Sequence, residues 1–364
     1  MASRPSTAPD FLLSRSHGSV RTQGSRAFFT SVDEALADPS IPLIVGALPF
    51  DPTAPAALTV PESVIWEPAA LNPHEYYLRG QGSTLSARVA GFDPSPELHA
   101  SRIKDAVSAL RTHPDHRKVV LARAVDIDFD EPVDPRLIAA RLIDTSAARD
   151  GFIVDLGNSW LVGCSPEMLV RKQGAEISLF PLAGSAPRMS DPALDEAAAR
   201  ELVSSKKNLT EHSYVVADIR EKLMPLTSSL TIPDSPVLTS TNEVWHLATP
   251  ITGTLVDESM SALTLASLIH PTPAICGTPT SWAHSYIQSV ESDRHFYAGA
   301  VGWADNHGNG EFMVAIRCAE VSADGLHARA WAGGGIVADS DPDEELAETS
   351  AKLATIMKAL GLTL

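Results

Sequence analysis

Three glutamates stand where helical periodicity gives them chemical meaning. Glu345 and Glu348, in EELAETSAKL, are spaced i,i+3 and project from one helix face, with Lys352 four residues beyond Glu348 on the same face. Glu211, in TEHSYVV, lies one turn before Val215 on a stripe completed by Ile219 and Leu223. A carboxylate on an inward face needs a partner. Carboxylates from two helices suit a hard cation such as Mg2+, which takes one or two of them and completes its octahedron with water and substrate oxygens. A solvated acidic helix start is the other reading of such a pattern. It suits Asp339, Asp341, Asp343 and Glu344, whose charges favour the helix dipole.

Lys118 opens the apolar strand KVVLAR. It is either an edge lysine that discourages aggregation or a buried amine serving as a base. Glu167 interrupts the apolar text CSPEMLV; buried, it would be a general acid, and in a turn it would be ordinary. Glycines in PLAGSA (181–186) and WAGGGIV (331–337) allow backbone to approach a ligand, but neither segment matches a dinucleotide fingerprint or a P-loop. His246 and Thr249, in WHLATP, are placed to line a pocket or to be satisfied within a core. Arg317, in MVAIRCAEV, is flanked by apolar residues and wants an anionic partner, which its guanidinium can hold with two parallel bonds.

The elements that must position these residues are readable. Residues 39–73 are proline-rich, with short apolar runs that suit brief strands and turns. Ile103, Val107 and Leu110 mark a helix from Pro96 to His113, followed by a strand from Val120 onward. DPRLIAARLID is a helix capped by Asp134. GFIVDL, SWLVGCSPEMLVRK and AEISLFPLAG read as three antiparallel strands. Two helices follow, DPALDEAAARELVSS and NLTEHSYVVADIREKL, and then the strand VWHLATPITGTL and the helices ALTLASLI and SWAHSYIQSV. FYAGAVGWA, EFMVAIRCAEVS and LHARAWAGGGIV are strands, and DPDEELAETSAKLATIMKAL is a closing helix with Leu346, Leu353 and Met357 inside. Runs of strands followed by helices make an α+β fold with antiparallel sheets.

The chain has 364 residues and a net charge of −17, with 44% hydrophobic and 20% charged residues. That balance excludes a general nucleic-acid binder and a dock on anionic lipid. A small anionic ligand would need local cations to overcome the global field. Three cysteines, Cys164, Cys276 and Cys318, without CxxC spacing, fit a reducing, cytoplasmic setting and offer no zinc site. No apolar run reaches the ~20 residues that span a bilayer. Residues 1–25 read as a loosely ordered leader.

Taken in order, KVVLAR, SPEMLV, PLAGSAPR, KKNLTEH, WHLATP, HPTPAICGTP, GAVGW, GNGEFMVAIRCA, AGGGIV and AETSAKL resemble the chorismate-utilising enzyme family, and within it the siderophore-type isochorismate synthases. The resemblance runs from about residue 45 to the C-terminus. It implies two large antiparallel sheets stacked together with helices outside, in one catalytic domain over 26–364, its N-terminal part being 26–95 and its core 96–364. It implies Mg2+ as cofactor, held by Glu211 and Glu348 with Glu345 assisting through water. It implies Lys118 as the base that activates water and Glu167 as the acid that protonates a leaving 4-hydroxyl. His246, Thr249, Gly184 and Ser185 match positions near the ring and its carboxylate. Arg317 and Gly333 match those at the enolpyruvyl carboxylate, and Lys352 matches a lysine near the metal.

The implied reaction converts chorismate to isochorismate. A lysine at position 118 points to water rather than ammonia, so no glutamine amidotransferase partner is expected. Ala274 and Ile275, in HPTPAICG, resemble isochorismate synthases rather than the salicylate synthases, which go on to eliminate pyruvate. Salicylate formation and a non-catalytic chorismate-binding protein are the alternatives. The product would feed 2,3-dihydroxybenzoate and siderophores, or else menaquinone. A monomer is expected. One departure stands out: Asn208 and Leu209 occupy positions where the family commonly has Asp and Arg.

Overall fold

The computed structural model describes residues 5–79 and 85–362. Its centre is the strand Lys118–Phe129, paired antiparallel with His327–Ile336 from Asp128 opposite His327 to Val119 opposite Ile336. Nearly every residue of Lys118–Phe129 is buried, which explains its unbroken apolar text: both faces of this strand are covered. Among the described residues the strands form a ten-stranded sheet containing this pair, a nine-stranded sheet, and a separate three-stranded sheet of Leu182–Pro187, Val237–Ser240 and Val244–Ala248.

One apolar core lies between the two large sheets. Val119, Leu121, Phe152 and Leu161 from the first meet Val45, Val170, Ile177 and Phe312 from the second. A second core covers the other face of the ten-stranded sheet. There Val125, Ile127 and Val162 pack under Ile138 and Leu142 of helix Pro135–Thr145 and under Leu353 and Met357 of helix Pro342–Ala359. This is the stacked-sheet α+β architecture with helices outside. The three-stranded sheet was not anticipated.

The leader reading is corrected. Residues 1–4 lie outside the described residues, but Phe11–Arg15 and Gly18–Gln23 are strands of the ten-stranded sheet. Phe11–Arg15 pairs with Gly18–Gln23 on one side and with Gly151–Asp155 on the other. Leu12 and Leu13 point to opposite faces, one into each core. Serine and arginine text disguised a strand whose polar members are satisfied internally: the Ser14 hydroxyl donates to the Arg149 carbonyl, and Arg15 pairs with Asp150 and Glu311.

Four apolar runs read as single strands are each broken, because the chain passes from one sheet to another within them. Ser159–Gly163 belongs to the ten-stranded sheet and Met168–Gln173 to the nine-stranded one. Gly310–Val314 and Cys318–Ser322 make the reverse passage. These two crossovers run side by side, tied by Cys164 N to Arg317 O and Val314 N to Glu167 O, 3.1 Å each. The other breaks fall at Pro181 and at Thr249–Pro250, where the chain enters and leaves the small sheet. In the closing helix, Leu353 and Met357 are buried as expected, but in its first turn Glu345 is buried and Leu346 only half-buried.

Candidate active site

A pocket opens beside the two crossovers. Glu167 and Arg317 line it from the crossovers, Gly184 and Ser185 from the small sheet, and Gly333 from the long glycine-bearing strand. Glu211, His246, Ala274, Ile275, Glu348 and Lys352 complete the expected set at its walls. Lys118, Thr249 and Glu345 are not part of the lining. They stand one layer behind it, against Glu211, His212 and Lys207 respectively.

Lys118 is buried, with 0% exposure, so the edge-lysine reading is overturned. Its Nζ stands 3.0 Å from Glu211 Oε1, an ion pair without good hydrogen-bond angles. This is the partner an inward Glu211 requires. Gly335 makes the pairing possible: a Cβ there would lie 2.0 Å from Glu211 Oε1 and 2.7 Å from Lys118 Cε. Glu167 is 3% exposed and accepts a bond from the Leu182 N–H at 3.4 Å. Burial raises its carboxyl to about 7, against the opposing pull of that N–H and of Lys118 and Lys352. A carboxylic acid still protonated near neutral pH is a proton donor.

The remaining carboxylates are each matched by a lysine. Lys352 Nζ donates to Glu348 Oε1 at 2.5 Å and to the Gly333 carbonyl at 2.9 Å. Burial pushes the Glu348 carboxyl up, but Lys352, Lys207 and Ser185 together outweigh it and the net direction is down. Lys207 and the Ser340 hydroxyl hold Glu345 Oε1 at 2.5 and 2.7 Å. Burial and the neighbouring Glu348 charge push the Glu345 carboxyl up. The Ser185 hydroxyl is buried beside Glu348 without a well-formed hydrogen bond.

Among the described residues no three His, Cys, Asp or Glu side chains converge on one point that could hold a metal ion. The expected ligands Glu211 and Glu348, with Glu345 expected to assist through water, form a loose group spread along Gly334 and Gly335 and balanced by lysines. Two of its members, Glu211 and Glu348, face the pocket. Two hard carboxylates beside a substrate cavity are the donors Mg2+ uses, so the residues fit that ion with substrate and water filling its other positions.

Arg317 lies in the left-handed region, φ 52°, at its crossover, a conformation rare for a side chain this large. Its guanidinium is buried, with Nη2 3.2 Å from His246 Nε2 and Nη1 3.4 Å from the Lys352 carbonyl. Arginine can only donate, so His246 Nε2 must be the bare, accepting nitrogen. Burial, followed by Arg317 and Lys352, holds His246 well below its ordinary range, which keeps it neutral.

Two functional side chains escaped the sequence reading. Tyr297 lines the pocket, stacks on Trp331 with ring centres 5.7 Å apart, and aims its hydroxyl at Gly333, where a Cβ would lie 2.9 Å away. A tyrosine in the small-residue text FYAGAVGW was the available signal. His212, next to Glu211, donates from Nδ1 to the Ala183 carbonyl at 3.0 Å and accepts at Nε2 from Thr249 Oγ1 at 2.6 Å. Thr249 thus orients the wall that carries Ala183 and Gly184 instead of touching the cavity.

With this geometry in place, the comparisons are specific. The family described as chorismate binding enzyme matches residues 81–361. A Mycobacterium tuberculosis chain named as a candidate isochorismate synthase, MenF, is 46% identical over 97% of this chain and 96% of its own length. Bacillus subtilis isochorismate synthase DhbC is 39% identical over 89% of this chain and 82% of its own. The crystal structure of a Bacillus anthracis chain described as a candidate 2,3-dihydroxybenzoate-specific isochorismate synthase, DhbC, superposes with a TM-score of 0.88 at 34% identity, covering 99% of this chain and 98% of that one. The buried lysine, the protonated glutamate and the cationic wall therefore belong to a chorismate-binding enzyme, and the chain is a member of that family.

Proposed function

We propose that this enzyme is an isochorismate synthase, converting chorismate to isochorismate by adding water at C2 and expelling the 4-hydroxyl. The observation that carries this reading is the pairing of a buried lysine with a glutamic acid held protonated to about pH 7 beside one cation-walled pocket. Water is a poor nucleophile and hydroxide a poor leaving group, so the reaction needs a base and an acid. Lys118 is assigned as the base that takes the proton from the attacking water. Glu167 gives its proton to the departing hydroxyl.

Arg317 holds the enolpyruvyl carboxylate of the dianion, with Tyr297 and the Gly333 backbone beside it. Lys352 and Arg317 supply the local positive charge that a chain of net charge −17 needs at this one place. Gly184 and Ser185 offer backbone and hydroxyl contacts to the ring carboxylate. Glu211 and Glu348 would hold Mg2+, which when bound anchors that carboxylate and withdraws electron density from the ring. His212, fixed by Thr249, keeps the Gly184 turn in place.

Lys118 acting on water needs no ammonia, so this reading calls for no amidotransferase subunit, and a monomer suffices. Among the described residues no helix is long and apolar enough to cross a membrane. One relative is described as 2,3-dihydroxybenzoate-specific and another is named MenF; we favour 2,3-dihydroxybenzoate and siderophores as the destination of the product, in line with the similarity to DhbC.

The test is incubation with chorismate and Mg2+ followed by chromatography. Isochorismate without pyruvate is the expected result. Salicylate with equimolar pyruvate would make the enzyme a lyase, and unchanged chorismate would make it a binding protein. Chelation with EDTA should abolish turnover and Mg2+ should restore it; activity that survives full chelation would remove the metal from the scheme.

A further inference from the structure

The wall that carries Ile275 is not a strand, yet it is held as firmly as one. Gly277–Thr278 pairs with Val119 and Lys118, and Val120 N donates to the Cys276 carbonyl at 2.8 Å. Beyond that point the Lys118–Phe129 strand has no strand partner on this side until Ala124, where Ala87–Asp93 takes over. The gap is closed by two buried side chains of opposite charge. Glu291 Oε1 accepts from the Ala122 N–H at 2.8 Å. Arg294, 2% exposed, donates to Glu291 Oε2 at 2.8 Å through Nε and to Glu291 Oε1 at 2.9 Å through Nη2. The same guanidinium donates to the Val120 carbonyl at 2.8 Å and to the Ile275 carbonyl at 2.9 Å. Its face lies 4.5 Å from the centre of the Phe50 ring.

Arg294 thus bridges two backbone carbonyls whose residues, Val120 and Ile275, both line the pocket. Because Val120 N also bonds the Cys276 carbonyl, Val120 and Ile275 stand side by side on one wall, and the guanidinium sets how that wall lies beside Lys118, two residues before Val120. We propose that the Arg294–Glu291 pair is a specificity-determining clamp: it fixes the Ile275 wall against the Lys118 strand and so keeps the bound ring and its enolpyruvyl arm in one arrangement. This rests on the isochorismate synthase reading above. The further reaction open to isochorismate is elimination. In that step the C3–O bond breaks and the C2 hydrogen moves to the enolpyruvyl methylene, leaving pyruvate and aromatic salicylate. The arm must swing over C2 for this to occur. A wall pinned at both carbonyls denies it the room.

The experiment uses the full chain with chorismate and Mg2+, measuring isochorismate by chromatography and pyruvate by a coupled dehydrogenase. Glu291→Gln keeps the shape and the acceptor for Ala122 N but weakens the hold on Arg294. Arg294→Lys keeps charge and one donor, and Arg294→Met keeps neither. We expect KM to rise about tenfold in Glu291→Gln with kcat less affected, since a misplaced wall costs substrate alignment. The ratio of pyruvate to isochorismate should rise severalfold in the order Glu291→Gln, Arg294→Lys, Arg294→Met. Should Arg294→Met fail to fold, the near-isosteric Glu291→Gln decides alone. Folded variants with wild-type KM and product ratio would overturn the clamp. A wild-type enzyme that makes no isochorismate would instead overturn the underlying functional reading.

Discussion

Replacing Glu167 with glutamine should make the protein more stable and, under the same conditions, nearly inactive. Burial raises the Glu167 carboxyl from 4.5 to about 7. Below about pH 4.5 the group is neutral in both folded and unfolded chains, and glutamine gains nothing. Between 4.5 and about 7 the folded state keeps a proton that the unfolded chain releases, so wild-type stability falls as pH rises. Above about 7 the fold carries the whole cost of a buried, poorly solvated carboxylate, roughly 3 kcal/mol for a displacement of this size. Glutamine imitates the protonated acid, can still accept from the Leu182 N–H, and never ionises. For a chain of 364 residues the gain at pH 8 corresponds to a rise in Tm of about 4 °C.

The assay is thermal unfolding of both proteins at pH 5 and pH 8, paired with turnover. The Tm difference should be small at pH 5 and open at pH 8. Turnover of the variant should fall by about a hundredfold to ten-thousandfold, the usual worth of a general acid. Wild-type kcat should itself decline as pH rises through about 7, where the proton donor is lost. A Tm difference that is absent, or equal at the two pH values, would refute the claim that the fold holds Glu167 protonated. The acid assignment would fall with it.

Lys118→Ala should lower kcat by about a hundredfold or more. It should also lower Tm, because it strands the buried Glu211 carboxylate, a loss of about 3–5 kcal/mol for a broken buried pair; wild-type-like turnover at pH 7–8 would sink the base assignment. Gly335→Ala should be inactive and destabilised, since its methyl would lie on the Glu211–Lys118 pair, and full activity would mean the pair is not needed. Deleting residues 1–23 should leave the chain insoluble or unfolded by circular dichroism, as Phe11, Leu12, Leu13 and Val20 each bury about 1.5–3 kcal/mol of side chain. A folded, active truncation would restore the leader reading.

Much of this molecule was legible because periodicity and capping are local. The helix around Glu211 was visible from Val215, Ile219 and Leu223, and its inward carboxylate announced the need for a cation that turned out to be Lys118. The helix at Asp134 was marked by its cap and its proline, and the Asp134 side chain does accept from the Arg136 N–H. What was not legible is non-local. Phe11–Arg15 is a strand because Gly151–Asp155 and Gly18–Gln23 flank it, and nothing within FLLSR records that. Lys207, which pairs with Glu345 across the fold, had no helical neighbour to give it away. Glu345 and Leu346 exchanged places for the same reason: Lys207 and Ser340 make the buried position tolerable to a charge.

The broken strands show why the site lies where it does. The large-sheet strands that flank these passages are each buried on at least one face, so hydropathy continues straight through a passage from one sheet to the other. The backbone cannot continue. Where the chain changes sheets, carbonyls and N–H groups lose their ladder and a side chain can turn toward the gap. Glu167 sits at one such passage and Arg317 at the next, Gly184 and Ser185 follow the break at Pro181, and Thr249 marks the last. The signals were present as a proline at three of the breaks and a lone charge at two. An acid that must stay protonated needs burial, and an arginine that must meet a dianion needs to be held before the anion arrives. The crossovers satisfy both demands, because they are enclosed by two sheets and tied to each other by backbone hydrogen bonds. A charged residue that interrupts an apolar run long enough to be two strands is therefore best read as a change of sheet, and the gap between the sheets as the place to look for chemistry.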